Sequence, residues 1–359
     1  MNRVCFFGAY DPGYPRNRIL RQGLARCGYQ VLEARASEHR AFRRYPALLT
    51  AFARAARTAE VLLVPEFRHK DMSLARLLAG HRTLVFDPLV SRHDTLVHDW
   101  GLHAEGSAQA RWNRAIDAWA LSSADLVLCD TWADGELFER LGTPRSRLRR
   151  VLVGAEDRFF AVGPVPSQGP VRILYVGGFL PLHGMLTVIE ALARLERQAD
   201  RLPEHRVTLV GTGIEFESAR QRARSHGLDR VEFLGPRAYG ESHRFLAEAH
   251  IVLGAFGTSE KAGRVIPHKV YQGLAAGRHV LTGDGPGIRE VFEPGIHLTL
   301  VPRGDPESLA LALADAIRSP ERCAALGARG RERVLEVGTP ERVGHSLAGA
   351  LEGRLEAVR

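Results

Sequence analysis

Ile173-Leu174-Tyr175-Val176-Gly177-Gly178, then Phe179-Leu180-Pro181-Leu182-His183-Gly184, then a helical pattern from Met185: this stretch decides the fold class. An apolar run stops at two glycines and a 3.6-residue period follows, which reads as strand, tight turn, helix. Gly177 and Gly178 allow backbone N–H groups to approach an anion near the positive end of the next helix. His183, just before that helix, is placed either to donate to a phosphate or to pack. The turn fits neither GxGxxG nor the phosphate-loop lysine pattern, so it also serves as a plain strand-to-helix connection.

The same rhythm extends in both directions. Strand-like runs recur at 3–7, 29–33, 60–65, 83–87, 125–129 and 148–153, and again at 171–176, 206–211, 231–234, 250–254, 279–282 and 298–301. Helical patterns lie between them, among others at 18–27, 40–58, 110–121, 132–141, 185–198, 214–226, 241–248 and 267–276. Alternation of this kind predicts mostly parallel sheets covered on both faces. Six strands twice over predict an α/β protein of two Rossmann-like doubly wound domains. The break falls in residues 163–170, with three prolines and two glycines. The expected domains are therefore 1–163 and 171–337, followed by a C-terminal helix in 338–359 that returns to the first domain. Ligands of doubly wound sheets bind beyond the carboxyl ends of the strands. The site is accordingly expected in a cleft between the domains.

A chain of 359 residues is too long for one ordinary core. With 45% apolar and 25% charged residues it has the balance of a globular protein. No apolar run is long enough to span a bilayer, and the first residues read as a strand rather than a signal peptide. Cys5, Cys27, Cys129 and Cys323 are scattered, which fits reduced thiols in the cytoplasm better than disulfides or a metal cluster. The net charge of +8 points to an anionic partner. Basic residues are dispersed without interleaved aromatics, so nucleic acid is not expected. Only Lys70, Lys261 and Lys269 are lysines among 49 basic residues, which draws attention to the last two.

Lys269 lies in the run from Gly263 to Gly277, Gly-Arg-Val-Ile-Pro-His-Lys-Val-Tyr-Gln-Gly-Leu-Ala-Ala-Gly. Pro267 suits the first position of a helix and Gly277 suits its end. Arg264 on the preceding loop, Lys269 in the first turn and the open N–H groups of the helix together make a diphosphate clamp. A lysine in the first turn otherwise opposes the helix dipole. A third Gly-rich stretch, Thr282-Gly283-Asp284-Gly285-Pro286-Gly287-Ile288-Arg289-Glu290, leads to a helix expected to open near Glu290. Glu290 would accept from sugar or ribose hydroxyls, or cap that helix.

These segments resemble the donor domain of the family-four, retaining GT-B glycosyltransferases. The run ILYVGGFLPLHG is similar to that family's glycine loop, with His183 where a lysine is usual. The stretch VTLVGTG to HGLDRVEFLG resembles the part whose last glycine turn, here Gly235-Pro236-Arg237, lies against the nucleotide base. GRVIPHKVYQGLAAG resembles a subset with an I-P-N-K-V-Y-E/Q core. The first half matches more loosely, through SADLVLCDTWADGELF and VLVGAEDRFF. Two glutamates that the family spaces as E-x7-E are replaced by Arg264 and Gln272. Gln272 still binds hydroxyls, whereas Arg264 suits phosphate.

The resemblance implies transfer of a sugar from a nucleoside diphosphate sugar to an acceptor hydroxyl, with retention and without a metal or other cofactor. It makes Asp87, at the end of the fourth strand, the candidate for touching the donor sugar beside Arg264 and Lys269. Gly8, Arg18, His69, His93 and Asp94 follow strand ends of the first half and form the candidate acceptor side. Asn17 is expected to cap the first helix and leave Arg16 and Arg18 beside the cleft. The acceptor reads as a saccharide, a lipid-linked saccharide or a small metabolite. Two other functions stay open: a nucleotide-sugar epimerase of the same fold, and a non-catalytic nucleotide-sugar-binding relative. Residues 38–59, rich in arginine with Leu48, Leu49 and Phe52 between, read either as an ordinary amphipathic helix or as a peripheral contact with the inner face of the membrane.

Overall fold

The computed structural model describes residues 2–37 and 40–358. It divides into two compact units, residues 1–154 with 338–359, and residues 155–337. The expected boundary at 163–170 is thus displaced: the chain changes unit at Gly154, and the proline-rich stretch belongs to the second unit. Arg278 is the physical reason. Its guanidinium donates to Gly163 O (2.8 Å) and Pro164 O (3.3 Å), tying that stretch down.

The first unit is a six-stranded parallel sheet in the order β2-β1-β3-β4-β5-β6. Its strands are β1 (Arg3–Gly8), β2 (Gln30–Arg35), β3 (Val61–Val64), β4 (Thr83–Phe86), β5 (Leu126–Cys129) and β6 (Leu148–Arg150). β3 and β5 are short, continuous apolar runs and β4 adds only Thr83 to one; all three are buried at every position, as strands covered on both faces must be. Four helices, α1 (Pro15–Arg26), α2 (Ala41–Ala55), α3 (Met72–Ala79) and α4 (Ala108–Ser123), come before β5, and α5 (Trp132–Arg140) follows it. Ser107 and Thr131 cap α4 and α5 through their side-chain oxygens. Leu48 of α2, Met72 of α3, Leu121 of α4 and Phe138 of α5 share one apolar core, so these helices cover one face of the sheet. Ile19, Leu20 and Leu24 of α1 share the other core with Val343, Leu347 and Leu351. The N-cap of α1 is Tyr14, not the expected Asn17, whose amide instead donates to Asp11 O at 2.7 Å.

The second unit repeats the design with the order β12-β11-β10-β7-β8-β9, all parallel. It opens with α6 (Asp157–Phe160), then β7 (Val171–Val176), α7 (Met185–Glu196), β8 (His205–Val210), α8 (Phe216–Ser225), β9 (Val231–Gly235), α9 (Ser242–Glu248) and β10 (Ile251–Leu253). There follow α10 (Glu260–Arg264), α11 (His268–Ala275), β11 (His279–Gly283), α12 (Pro286–Arg289), β12 (Thr299–Val301), α13 (Pro306–Arg318) and α14 (Pro320–Val337). The chain then re-enters the first unit as α15 (Pro340–Val358), which packs along α1. There Gly23 and Gly344 touch backbone to backbone. A Cβ on either would lie under 3 Å from the other's main chain.

Candidate functional site

In the second unit the carboxyl end of β7 turns sharply. Gly177 has φ +153, and the neighbouring Gly211 approaches so closely that a Cβ there would meet Gly177 O at 1.9 Å. Gly178 O accepts hydrogen bonds from both the Tyr175 hydroxyl and His183 Nδ1. His183 is buried, and burial first, then Lys269, holds its pKa well below the usual imidazole value. A neutral ring whose Nδ1–H is committed to Gly178 O fixes the turn and leaves only Nε2 for another partner.

Lys269 completes this group. It sits in the first turn of α11, and its Nζ stands 3.8 Å from the centroid of the Tyr175 ring. A Cβ on Gly177 would lie 2.7 Å from that Nζ, so glycine is what admits the amine to the turn. The side chain is 6% exposed, and Nζ has no hydrogen-bond partner among the described residues. Burial alone drives its pKa well below the usual lysine value. A buried amine with no counter-ion is costly, and proteins rarely keep one without use for it.

Around this group the structure adjusts the sequence reading. Pro267 is the N-cap of α11 rather than its first residue, and the helix ends at Ala275. Arg264 is not on a loop: it closes α10, is 6% exposed, and donates to Glu260 Oε2 at 3.0 Å. Lys261, on the same short helix, is as buried. The Gly-rich stretch 283–287 packs against α10 instead of opening toward a ligand. A Cβ on Gly287 would meet Arg264 O at 1.9 Å, and one on Gly285 would meet Gly263 O at 2.5 Å. Glu290 is the C-cap of α12, so it does not cap a helix start; Asp284 of the same stretch is clasped by Arg289 at 2.6 and 2.7 Å.

Gln272, one turn beyond Lys269 on α11, is buried and donates to Tyr239 Oη at 2.9 Å. That hydroxyl donates to Glu156 Oε2 (2.5 Å), which also accepts from Arg158 (2.5 Å). The Arg158 guanidinium lies over the Tyr239 ring at 4.5 Å. Nothing in the sequence links positions 156, 158, 239 and 272, and their connection was not expected. Gly235 ends β9 with φ +66 and accepts from Gly211 N at 2.9 Å; Pro236 beside it is exposed.

The carboxyl edge of the first sheet has the opposite character. Asp87, just past β4, is 1% exposed and has both carboxylate oxygens bound by Arg16, at 2.9 and 3.2 Å. Arg16 is fully buried and donates also to Val151 O and Leu152 O. Neither residue is the open group expected from the sequence: Arg16 is fully buried, and Asp87 is the other half of its ion pair. Glu66, past β3, is 2% exposed with Oε2 unpartnered; burial, then Asp87, pushes its carboxyl up to about 8. Asp130, past β5, is raised by burial against the pull of Arg16.

The remaining acceptor-side candidates hang on two aspartates that the sequence did not single out. Asp71 accepts from Ala9 N (2.9 Å) beside Gly8 and pairs with Arg44 (2.9 Å). Asp117 of α4 gathers Ser91 Oγ (2.6 Å), Arg92 N (3.1 Å) and His93 N (2.8 Å), and lies 3.4 Å from His69 Nε2. His69 is buried against Phe86, and burial holds its pKa at about 3. His93 is half-buried with its ring against His98, and Asp94 is buried with its N–H on Ser91 Oγ. Arg18 is exposed and donates to Gly13 O at 2.9 Å.

Residues 159–333 match the family described as glycosyl transferases group 1. The putative colanic acid biosynthesis glycosyltransferase WcaL of Escherichia coli is 27% identical over 235 residues, 63% of this chain and 56% of that protein. The chain spans about half the length of the curated relatives it matches. Among solved structures, sucrose-phosphate synthase of Thermosynechococcus elongatus superposes with a TM-score of 0.77 at 17% identity, covering all of both chains. Anabaena HepE, solved in complex with UDP, gives 0.71 at 16% identity over 98% of this chain and 100% of that one. These likenesses show the fold, two Rossmann-like domains of the GT-B type.

Proposed function

With a group 1 glycosyl transferase domain over residues 159–333 as the premise, we propose that this chain moves a sugar from a nucleoside diphosphate sugar to an acceptor hydroxyl. Transfer proceeds with retention and needs no metal or other cofactor. The observation that carries the proposal is Lys269, a buried, unpartnered amine beside the glycine turn Gly177-Gly178 and at the start of α11. Charge builds on the departing diphosphate as the glycosidic bond breaks. An amine and backbone N–H groups held in place beforehand stabilise that charge without reorganising. A diphosphate there would also restore the charge that burial takes from Lys269, so binding takes up a proton. Arg264 is the second cation of the reading. Gly235 and Pro236 lie toward the base, and Gln272 takes the ribose side. UDP bound to Anabaena HepE, of the same fold, supports a nucleoside diphosphate as the ligand class.

The acceptor is a saccharide, a lipid-linked saccharide or a small metabolite, handled by the first unit through the loops after β1, β3 and β4. A cytoplasmic location goes with four free cysteines, three of them buried. Of the two readings of residues 38–59, an ordinary amphipathic helix and a peripheral membrane contact, the proposal keeps both; the structure describes 40–59. No described helix is long and apolar enough to cross a membrane.

Thermal stability followed through separate titrations of UDP, GDP, dTDP and ADP tests the donor site. One nucleotide is expected to stabilise the wild type, by about 2.7 kcal/mol at a hundred times its Kd. Lys269→Ala is expected to blunt that gain and to slow turnover of the matching nucleotide sugar by about 100- to 1,000-fold. Unchanged turnover in Lys269→Ala would refute the assignment. Binding with no transfer to any acceptor would favour the non-catalytic relative, and acceptor-free isomerisation of the donor an epimerase.

A further inference from the structure

We propose that the face of the first unit formed by α2, α3 and α4 is a docking surface for an anionic lipid bilayer. The three helices cover the same side of the sheet, since their inward residues share one core. Their outward residues are what soluble helices avoid. Phe42 (67% exposed), Leu49 (44%), Leu77 (78%), Trp112 (65%) and Trp119 (44%) all project from them. Within the described residues of this unit, α1, α5 and α15 contribute no large exposed apolar side chain.

The placement is patterned. On α2, residues 42, 46, 49 and 53 are Phe, Pro, Leu and Ala, all exposed and spaced four, three and four apart. That is a second apolar stripe, turned away from the one that buries Leu48. On α4, Trp112 and Trp119 are seven apart, hence on one side, turned about a third of the way round from the buried Asn113, Asp117 and Ala120. Arg43 and Arg54 flank the α2 stripe and Arg111 lies beside the tryptophans, all exposed. α2 and α3 contain no carboxylate, and the single one of α4, Asp117, is buried.

Exposed apolar surface rimmed by one sign of charge marks an interaction site. The charge selects the occupant. A second copy of this chain would set arginines against arginines in a two-fold contact. An anionic bilayer instead offers negative headgroups to the arginines and an interfacial zone that suits tryptophan. This surface extends well beyond the helix of residues 40–59 and is independent of the donor site, whose residues lie in the other unit.

Co-flotation with vesicles tests it. The full chain is expected to float with phosphatidylglycerol–phosphatidylcholine vesicles, to be released by salt, and to stay behind with phosphatidylcholine alone. Trp112→Ser with Trp119→Ser should reduce partitioning by at least about tenfold and abolish a lipid-induced blue shift of tryptophan fluorescence. Arg43→Gln and Arg54→Gln should each weaken binding about fivefold. The variants should unfold as the wild type does and keep its stabilisation by nucleotide, which separates this surface from the donor site. Wild type that ignores anionic lipid, or variants that float as well as wild type, would overturn the proposal. So would a dimer that the tryptophan substitutions convert to monomer.

Discussion

The two sheets end in edges of opposite electrostatic design. Past β3, β4 and β5 of the first unit lie Glu66, Asp87 and Asp130, all buried, with Arg16 threaded among them and bound to Asp87 through both carboxylate oxygens. Past β7 of the second unit lies Lys269, equally buried, with an aromatic ring beside it and no carboxylate on its amine. At the first edge Arg16 compensates Asp87, while burial favours the protonated forms of Glu66 and Asp130. The second leaves an amine without a counter-charge, which favours binding an anion over folding stability. Similar folds and similar burial thus serve different ends.

The largest expected effect follows from this contrast. Arg16→Met removes one partner of a buried ion pair and two donors to Val151 O and Leu152 O, and should destabilise the first unit by about 3–5 kcal/mol. Lys269→Met removes a buried amine that nothing pairs, so in the absence of nucleotide its stability should equal or exceed that of wild type. Urea unfolding of both variants measures the difference. Comparable losses in the two would erase the distinction, because they would make Lys269 part of the structural framework.

A smaller effect lies in the pH dependence. Glu66 titrates at about 8 in the folded chain against 4.5 ordinarily, so the folded state favours its proton. Its contribution to stability is present below pH 4.5 and is lost as pH rises through 8. Lys269 runs the other way. With its pKa depressed by burial, its contribution is present at high pH and is lost as pH falls through the folded value. Glu66→Gln should therefore flatten the alkaline loss, and Lys269→Met should flatten the opposite trend. Unfolding curves from pH 5 to 9 decide the matter, and slopes that neither substitution changes would remove both groups from consideration.

Much of the fold was legible because strand and helix periods are local. All twelve predicted strand runs correspond to strands, with ends shifted by a few residues. The short helices α6, α10 and α12, four or five residues each, are below the length at which a 3.6-residue period can be seen. Lys269 stood out for a different reason, since lysine is rare in this chain and a first-turn lysine opposes the helix dipole; the structure adds its burial beside the Gly177 turn. The Arg16–Asp87 pair joins residues 71 apart, and Asp117 binds a loop some 25 residues away; no local signal marks either. The glycines at 283–287 left their purpose open in the sequence, because a loop entering a helix and a close backbone contact both favour the absence of a side chain. Only the backbone atoms of Gly263 and Arg264 opposite them tell the two apart.

The smallest effect tests whether the second unit's edge is as open as Lys269 suggests. Gln272 shares α11 with Lys269, yet one of its amide N–H groups already donates to Tyr239 Oη. The second N–H and Oε1 stay available to ribose hydroxyls; only if the ribose takes the held N–H must the bond to Tyr239 break, at the cost of about one neutral hydrogen bond. Tyr239→Phe keeps the ring under the Arg158 guanidinium and leaves Glu156 paired with Arg158. It should lower stability by about 1 kcal/mol. It should also release Gln272 and tighten binding of the nucleoside diphosphate by about fivefold, the equivalent of the same ~1 kcal/mol. Isothermal titration with the nucleotide found in the thermal screen measures it. Tighter binding would show that this edge, too, is partly occupied by its own residues before the donor arrives. Unchanged or weaker binding would show that Gln272 does its work from its place on Tyr239.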